Sequence, residues 1–573
     1  MQGRMRFFFR GRLFFGLALG AVAFGFPSYA QVPTSAQQDD LELRRAQERE
    51  SQLRSQQERA PDVLGPAAAA PQVPRLPAKE APCFEIRGLE LRGDTDQRFG
   101  WVLDSLSGPK ADDAPLRKCI GAMGIGILQQ RGQDALIAKG YVTTRLLVTP
   151  QDLSTGNLVF TVVPGSLNAV RTTPDIGAKA LQSALPMREG DVLNLRDIEQ
   201  ALENFQRVPT RQVDIQIAPA STPDQSDLIV RSQSSFPLRA SLSLDDSGSK
   251  STGRYQANGT LSWDNPLGLN DLFYISQGND AQGGDPGSRG NQSNTLHYSL
   301  PWGYWAYGLT VSESSYYQTI NGSTTVYSGK SGSNEVKVSR LFYRDATSKD
   351  TLYLKALQRS ARNYLNGVEV LVQRRASTLW ELGVEHKAFV GQGVLQISGA
   401  YKRGTRDFDA IDAPEEAADQ GTARPTIYVA DLNWNTPWAP WKLPLAYQAN
   451  LRLQATDGAL SAPDRLGLGG RYTVRGFDGE NAITGDSGWL LRQDVGWNIG
   501  QAAGQLYLAL DAGEVYGPNT TGLTDRFIAG TALGWRIQYK RMQFDCFVGR
   551  PLHTPSTLRT SETTGGFYFN YSL

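Results

Sequence analysis

Residues 445–455 read Leu-Ala-Tyr-Gln-Ala-Asn-Leu-Arg-Leu-Gln-Ala. Leu445, Tyr447, Ala449, Leu451, Leu453 and Ala455 fall on one side of a two-residue period, and Gln448, Asn450, Arg452 and Gln454 on the other. Two is the period of a β-strand whose faces meet different surroundings. Residues 531–540 repeat it: Thr531, Leu533, Trp535, Ile537 and Tyr539 oppose Arg536, Gln538 and Lys540. In 541–548, Met542, Phe544, Cys546 and Val548 oppose Gln543 and Asp545. In 567–573, Phe567, Phe569, Tyr571 and Leu573 oppose Tyr568, Asn570 and Ser572.

About sixteen such segments, separated by turn residues, fit into 236–573. One apolar face and one charged face is the pattern of a transmembrane β-barrel with a wet interior. A soluble β-sandwich also buries one face. Closing so many strands into a barrel removes the exposed edges that a sandwich would have to protect, which favours the barrel.

The longest break in the alternation is 457–487. Its centre, residues 468–480, reads Leu-Gly-Gly-Arg-Tyr-Thr-Val-Arg-Gly-Phe-Asp-Gly-Glu. Glycines make it a loop, yet Tyr472 and Phe477 can pack and Arg471 and Arg475 can pair. One strand further on, Leu506, Leu508 and Leu510 face lipid, so Tyr507, Ala509 and Asp511 face the lumen. Arg475 either stays in water or folds inward to an interior acid, and Asp511 either stays wet or meets a guanidinium. An Arg–carboxylate pair can be bidentate and geometrically strict.

Upstream, the chain changes character several times. Arg4, Arg6, Arg10 and Arg12, an apolar stretch over 13–26 and Ser28-Tyr29-Ala30 read as a signal peptide over 1–30. An uncleaved anchor is the alternative, but the apolar stretch is short for a spanning helix. The 31–60 segment holds a helix-forming run over 39–60, with six acids and five bases and only Leu41, Leu43 and Leu53 as large apolar residues. It has no stripe to bury, so it sits in water, either free or inside a lumen. Residues 61–82 are a Pro/Ala-rich linker. Residues 83–165 read as a small α/β unit: a strand through Phe84, Ile86, Leu89 and Leu91, a helix over 119–138, then strands over 141–148 and 157–163. Residues 166–235 repeat the order, with Asn194 suited to cap the second helix.

The net charge is +1, from 58 basic and 57 acidic residues, which gives no sign of a nucleic-acid partner. Cys83 and Cys119 fall in one small domain of an exported chain and are expected to pair; Cys546 sits on the apolar barrel face. With no Cys-x-x-Cys and only His297, His386 and His553, no metal site is expected. Gly485-Asp486-Ser487-Gly488 looks like a serine-protease nucleophile loop, but a triad also needs a placed His and Asp, so it reads as a turn. Gly121, Gly124 and Gly126 lie in a helical pattern without the strand a phosphate loop needs. No catalytic residue and no cofactor is expected.

The order of segments, with Val474-Arg475-Gly476-Phe477 after the eleventh strand, resembles the two-partner secretion outer-membrane transporters. This is the family of the haemolysin and filamentous-haemagglutinin transporters. Other strings are similar to its motifs: Pro82-Cys83-Phe84 with Cys119-Ile120, residues 193–199 with Asn204 to Pro209, Asp264-Asn265-Pro266-Leu267-Gly268 with Asp271, and Gly549-Arg550-Pro551-Leu552. The resemblance implies a barrel of 16 antiparallel strands behind two periplasmic βααββ POTRA domains. It implies that these domains take up a large unfolded exoprotein, that the helix within 31–60 plugs the pore, and that the 457–487 loop folds into the barrel. It further implies that Arg475 meets Asp511 in Asp511-Ala512-Gly513, and that outer-membrane lipid and the barrel-assembly machinery are partners. The chain departs from the family in ending at Leu573 rather than Phe. The competing readings are an assembly factor that inserts other barrels, a passive porin, and a surface enzyme resting on 485–488.

Overall fold

The computed structural model describes residues 35–58, 62–63, 74–108, 111–282, 288–320, 324–500 and 503–573; the expected signal peptide lies outside them. Sixteen antiparallel strands close a barrel between Leu238 and Ser572. A two-residue strand, Val368–Glu369, adds to the outer end of the seventh. The last strand, Thr564–Ser572, pairs with the first, Leu238–Asp245, from Tyr568↔Asp245 to Ser572↔Ser241, so no edge is left open. The alternation decides which way each side chain points. In the thirteenth strand, Gly504–Tyr516, Leu508 is 60% exposed on the outside while Ala509 and Asp511 are fully buried on the inside. An outward apolar band and an inward polar one are what bilayer and water require of one wall.

Helix α1, Ser35–Gln57, runs down the lumen. Its 23 residues span ~34 Å at 1.5 Å each, about the height of the wall. Hydrogen bonds and ion pairs tie it to the wall and to the inward loop. At the loop end, Glu42 accepts from Ser249 (3.0 Å) and Arg45 donates to the Gly479 carbonyl (2.6 Å). Lower down, Glu50 accepts from Ser312 (2.9 Å), Arg54 pairs with Glu335 (2.5 Å), and Gln57 accepts from Ser262 (3.1 Å). A helix polar on every face is thus enclosed by a polar tube. A cavity of about 710 Å3 remains beside it.

Both described pieces of the Pro/Ala-rich segment are tied down. Asp62 pairs with Lys349 and Lys387 at the barrel rim, and the Val63 N–H reaches Glu203 (2.9 Å). Residues 74–82 strap the first small domain. Leu76 enters its core, Arg131 donates to the Pro74 carbonyl, and Glu80 accepts from the N–H groups of Gly121, Met123 and Gly124. Those are free donors of a helix start, which a carboxylate satisfies well.

Three expectations for that domain change: of the strand over 141–148, only Arg145–Leu147 pairs, against Thr161–Val163. Phe84 to Leu91 is not one strand: Phe84–Glu85 pairs with Cys119–Ile120, whereas Gly88–Arg92 pairs in parallel with Asn157–Val163. The buried Ile86 lies at the break, its N–H on the Lys118 carbonyl, while Arg87 and Gly88 turn to the Gly156 carbonyl. The helix starts at Ala122 rather than 119, because Gly121 is extended and Cys119–Ile120 is that short strand. The second domain follows its expected order: Ser166–Thr172, helices Ala178–Ala184 and Leu195–Gln206, then Arg211–Pro219 and Gln225–Ser234. Asn194 caps the second helix through the Arg196 N–H.

Candidate functional site

The 457–487 excursion is a hairpin turned inward. Leu466–Leu468 pairs with Ile483–Gly485, and the tip between them reaches the wall. Val474 and Phe477 are buried with Leu468, Ile483, Val515 and Ile528, so the tip carries its own apolar core into a polar lumen. That burial fixes the backbone on either side of Arg475.

The wall is shaped to receive it. Gly476 has φ +107°, a left-handed conformation, and a Cβ there would stand 2.5 Å from the Arg550 carbonyl oxygen. A Cβ on Gly530 would stand 2.1 Å from the Arg475 carbonyl oxygen, and one on Gly549 would stand 2.9 Å from the Gly476 Cα. One on Gly513 would stand 2.8 Å from Leu468. Strands thirteen, fourteen (Phe527–Tyr539) and fifteen (Met542–His553) each give up a side chain where the tip touches.

Arg475 Nε and Nη2 donate to Asp511 Oδ2 and Oδ1 at 2.7 and 2.8 Å, and the Arg475 backbone N–H adds a third bond at 2.9 Å. Nη1 reaches Asp494 Oδ2 at 3.1 Å, and Asp494 in turn accepts from Arg536 at 2.7 Å. Two guanidiniums thus share two carboxylates. Tyr507 lies between them, 5.8 Å from Arg475 and 4.7 Å from Arg536, in cation–π contact. With Arg475 only 6% exposed and Asp511 fully buried, neither charge is tolerable alone.

The pair is also part of the wall. Between the twelfth strand, Ser487–Gly500, and the thirteenth, paired residues run to Leu491↔Ala512 and resume at Asp494↔Ala509. In the gap, Asp511 Oδ1 accepts the Gln493 N–H (3.1 Å) and Arg475 Nη2 donates to the Gln493 carbonyl (3.2 Å). Side chains replace the missing rungs. Arg471 holds Asp246 and the Phe567 carbonyl across the barrel closure, and Arg492 donates to the Tyr472 and Arg471 carbonyls.

The geometry brings together Val474, Arg475, Gly476, Phe477, Asp511 and Gly513. Sequence reasoning did not single out Asp494 or Gly530; it placed Arg536 on the polar face of its strand and named Gly549 only within the 549–552 string, with no role for either. Each occupies an inward position of a strand, which is the one signal that could have found them. Cys83 and Cys119 form a disulfide in the first small domain, and Cys546 stands half-buried opposite Trp535 and Phe567. Asp486 of the 485–488 string accepts from Leu460 N (2.7 Å) and from Asn519, closing a turn; no histidine is among its partners in the described residues.

The remaining motif strings meet at one joint. The second small domain docks on three rim turns: Asn270 donates to the Ala180 carbonyl (2.7 Å), Asn204 to the Gly303 carbonyl (2.8 Å), and Arg344 pairs with Glu199 and Glu203. Asp197 accepts from Tyr304, and burial pushes its carboxyl up against that bond.

Residues 224–537 match the family described as haemolysin secretion/activation protein ShlB/FhaC/HecB; 84–165 match the ShlB-type POTRA domain and 167–219 a POTRA domain. The outer membrane transporter CdiB-2 of Burkholderia pseudomallei (strain 1026b) is 32% identical over 94% of both chains. The hemolysin transporter protein ShlB of Serratia marcescens is 27% identical over 84% of both. The structure of CdiB from Acinetobacter baumannii superposes with a TM-score of 0.82 at 28% identity, covering 95% of this chain and all of that one. The chain therefore belongs to the haemolysin secretion/activation family: it is a two-partner secretion transporter of the outer membrane, with POTRA domains on the periplasmic side of a sixteen-stranded pore.

Proposed function

We propose that this transporter exports a large exoprotein that its POTRA domains take up unfolded, and that α1 is the part that vacates the pore. The carrying observation is the contrast between the two bodies in the lumen. Among the described residues, hydrogen bonds and ion pairs hold helix α1 to the wall, and water or an extended polypeptide can replace them. The hairpin tip is held by a buried apolar cluster and by ion pairs that complete a strand ladder. Displacing it would expose apolar surface and strand two buried acids. In this reading the loop stays docked during passage and keeps the wall closed at strands twelve and thirteen.

An extended chain presents free backbone N–H and C=O groups, so an exposed POTRA sheet edge can hold it by strand addition. The edge strands are Gly88–Arg92 and Arg145–Leu147 in the first domain and Ser166–Thr172 and Arg211–Pro219 in the second. Export ends in folding at the surface, which supplies direction without a nucleotide. Deleting the transporter and comparing the medium and the outer membrane tests this. One large protein lost from the medium supports it. Loss of many barrels from the outer membrane, with the medium unchanged, contradicts it and makes the protein an assembly factor.

A further inference from the structure

The outer wall carries a charge arrangement that secretion does not use. Lys330, on the sixth strand (Val326–Arg344), and Arg362, on the seventh (Ser348–Leu365), are directly opposite each other in register. The inward positions of the same strands are Ser331 and Ala361, so both cations point outward, and both are exposed. Like charges directly opposite on a sheet repel. Among the described residues neither has an ion pair or a side-chain hydrogen bond. The nearest acids answer them only in part: Glu313, opposite Gly332, is a diagonal outward neighbour of Lys330, and Glu369, within electrostatic reach of Arg362, is already held by both arms of Arg374 at 2.6 and 2.8 Å.

Their height says what faces them. Below, the outward residues are lipid-compatible: Leu309, Val336 and Leu354 are 41–50% exposed. Val311↔Asn334 is the last row with an aliphatic member below the pair, and Lys330↔Arg362 stands two rows above it. A row of two residues rises ~5 Å at a tilt of ~40°, so the pair sits about 10 Å above the apolar band. That is the level of outer-leaflet headgroups. Gly332 and Ser360, directly beneath, leave a shallow step under the cations. Tyr317 and Tyr364 flank Ser328 in the row above, the aromatic placement of a membrane interface. The first three strands have 8 or 9 residues, against 19 and 18 here, so the wall is taller on this side than at the barrel closure.

We propose that Lys330 and Arg362 form a headgroup site for a phosphate-bearing glycolipid of the outer leaflet, the phosphate lying between the two cations. An anion there turns a repulsive pair into two charge-assisted contacts.

The test uses the full transporter, purified in detergent, titrated with bisphosphorylated lipid A, with its dephosphorylated form and with inorganic phosphate, and read by native mass spectrometry and thermal unfolding. The wild type is expected to retain the bisphosphorylated lipid and to lose at least about tenfold in affinity when its phosphates are removed. Lys330→Ser with Arg362→Ser should lose about tenfold as well, while Arg403→Ser, at another exposed outward arginine, should not. Without lipid, the double variant should unfold no earlier than the wild type, because a repulsion has been removed. Arg362→Gln alone provides the same reading if the double variant assembles poorly. Undiminished lipid binding by the variants, an equal loss in Arg403→Ser, or equal stabilisation by inorganic phosphate alone would each overturn the proposal.

Discussion

Arg475, on the inward loop, and Asp511, on the thirteenth strand, form a two-armed ion pair at 2.7 and 2.8 Å inside the barrel. The same carboxylate takes the Gln493 N–H of the neighbouring strand. The pair is therefore a latch for the loop and a rung of the wall. Removing either half leaves a buried charge and an open ladder.

Arg475→Ala should release the tip and abolish export while the barrel still inserts. Stranding a buried acid costs about 3–5 kcal/mol, enough to undo a docked loop but small beside sixteen paired strands. Arg475→Lys should also fail, because an ammonium cannot bridge both oxygens of Asp511 and reach Asp494. Heat-modifiable mobility on a gel checks the barrel and exoprotein in the medium checks export. Wild-type export by either variant would contradict the latch.

Gly530→Val places a side chain against the Arg475 carbonyl, where even a Cβ would be 2.1 Å away. The expected outcome is loss of export with the Arg475–Asp511 residues themselves intact. Gly522→Val, where a Cβ meets nothing within 4 Å, should have no effect. Protease cleavage within 469–482 should rise several-fold in the first variant only.

Deleting residues 35–58 empties the lumen of α1. Single-channel conductance in planar bilayers should rise several-fold and become steady. If conductance is unchanged, the hairpin tip alone seals the pore and α1 is not the plug.

The strap on the first POTRA domain gives a pH signature. Burial alone would raise the Asp113 carboxyl. Bonds from Lys118, the Leu76 N–H and Arg131 outweigh it and hold the group well below the usual carboxylate range. A lowered folded value means that this stabilisation is complete above the unfolded value of about 4 and is lost as pH falls through the folded one. Hydrogen exchange at Leu76 should stay slow down to strongly acidic pH. Asp113→Asn should speed it about tenfold at neutral pH, and an unchanged rate would remove the role given to that carboxylate.

Much of this was legible in the sequence because a two-residue period leaves little choice. Once Leu506, Leu508 and Leu510 face lipid, Asp511 must face the lumen. Nothing comparable finds Asp494 and Arg536. Each is one of many inward charges, and which of them meet depends on strand stagger around the barrel, which alternation does not encode. Gly530 looks like an ordinary small inward residue, and Gly549 like one member of the 549–552 string, until the loop lies against them. The break at Ile86 escaped for a different reason: a continuous apolar rhythm from Phe84 to Leu91 conceals a change of sheet partner. The strings at 193–199 and 264–271 were visible as motifs, but their shared purpose, joining the second POTRA domain to the rim, needed three dimensions.

The claim that α1 leaves while the loop stays can be tested with two disulfide traps in a Cys546→Ser background. Glu50→Cys with Ser312→Cys pins α1 to the wall, at a contact of 2.9 Å. Asp478→Cys with Ser561→Cys pins the loop tip, at a contact of 2.8 Å. The measurement is exoprotein released to the medium, oxidised and after mild reduction. The account predicts that the first trap blocks release until reduced and that the second leaves release unchanged. Free release through a pinned α1, or a block by the pinned loop, would contradict it.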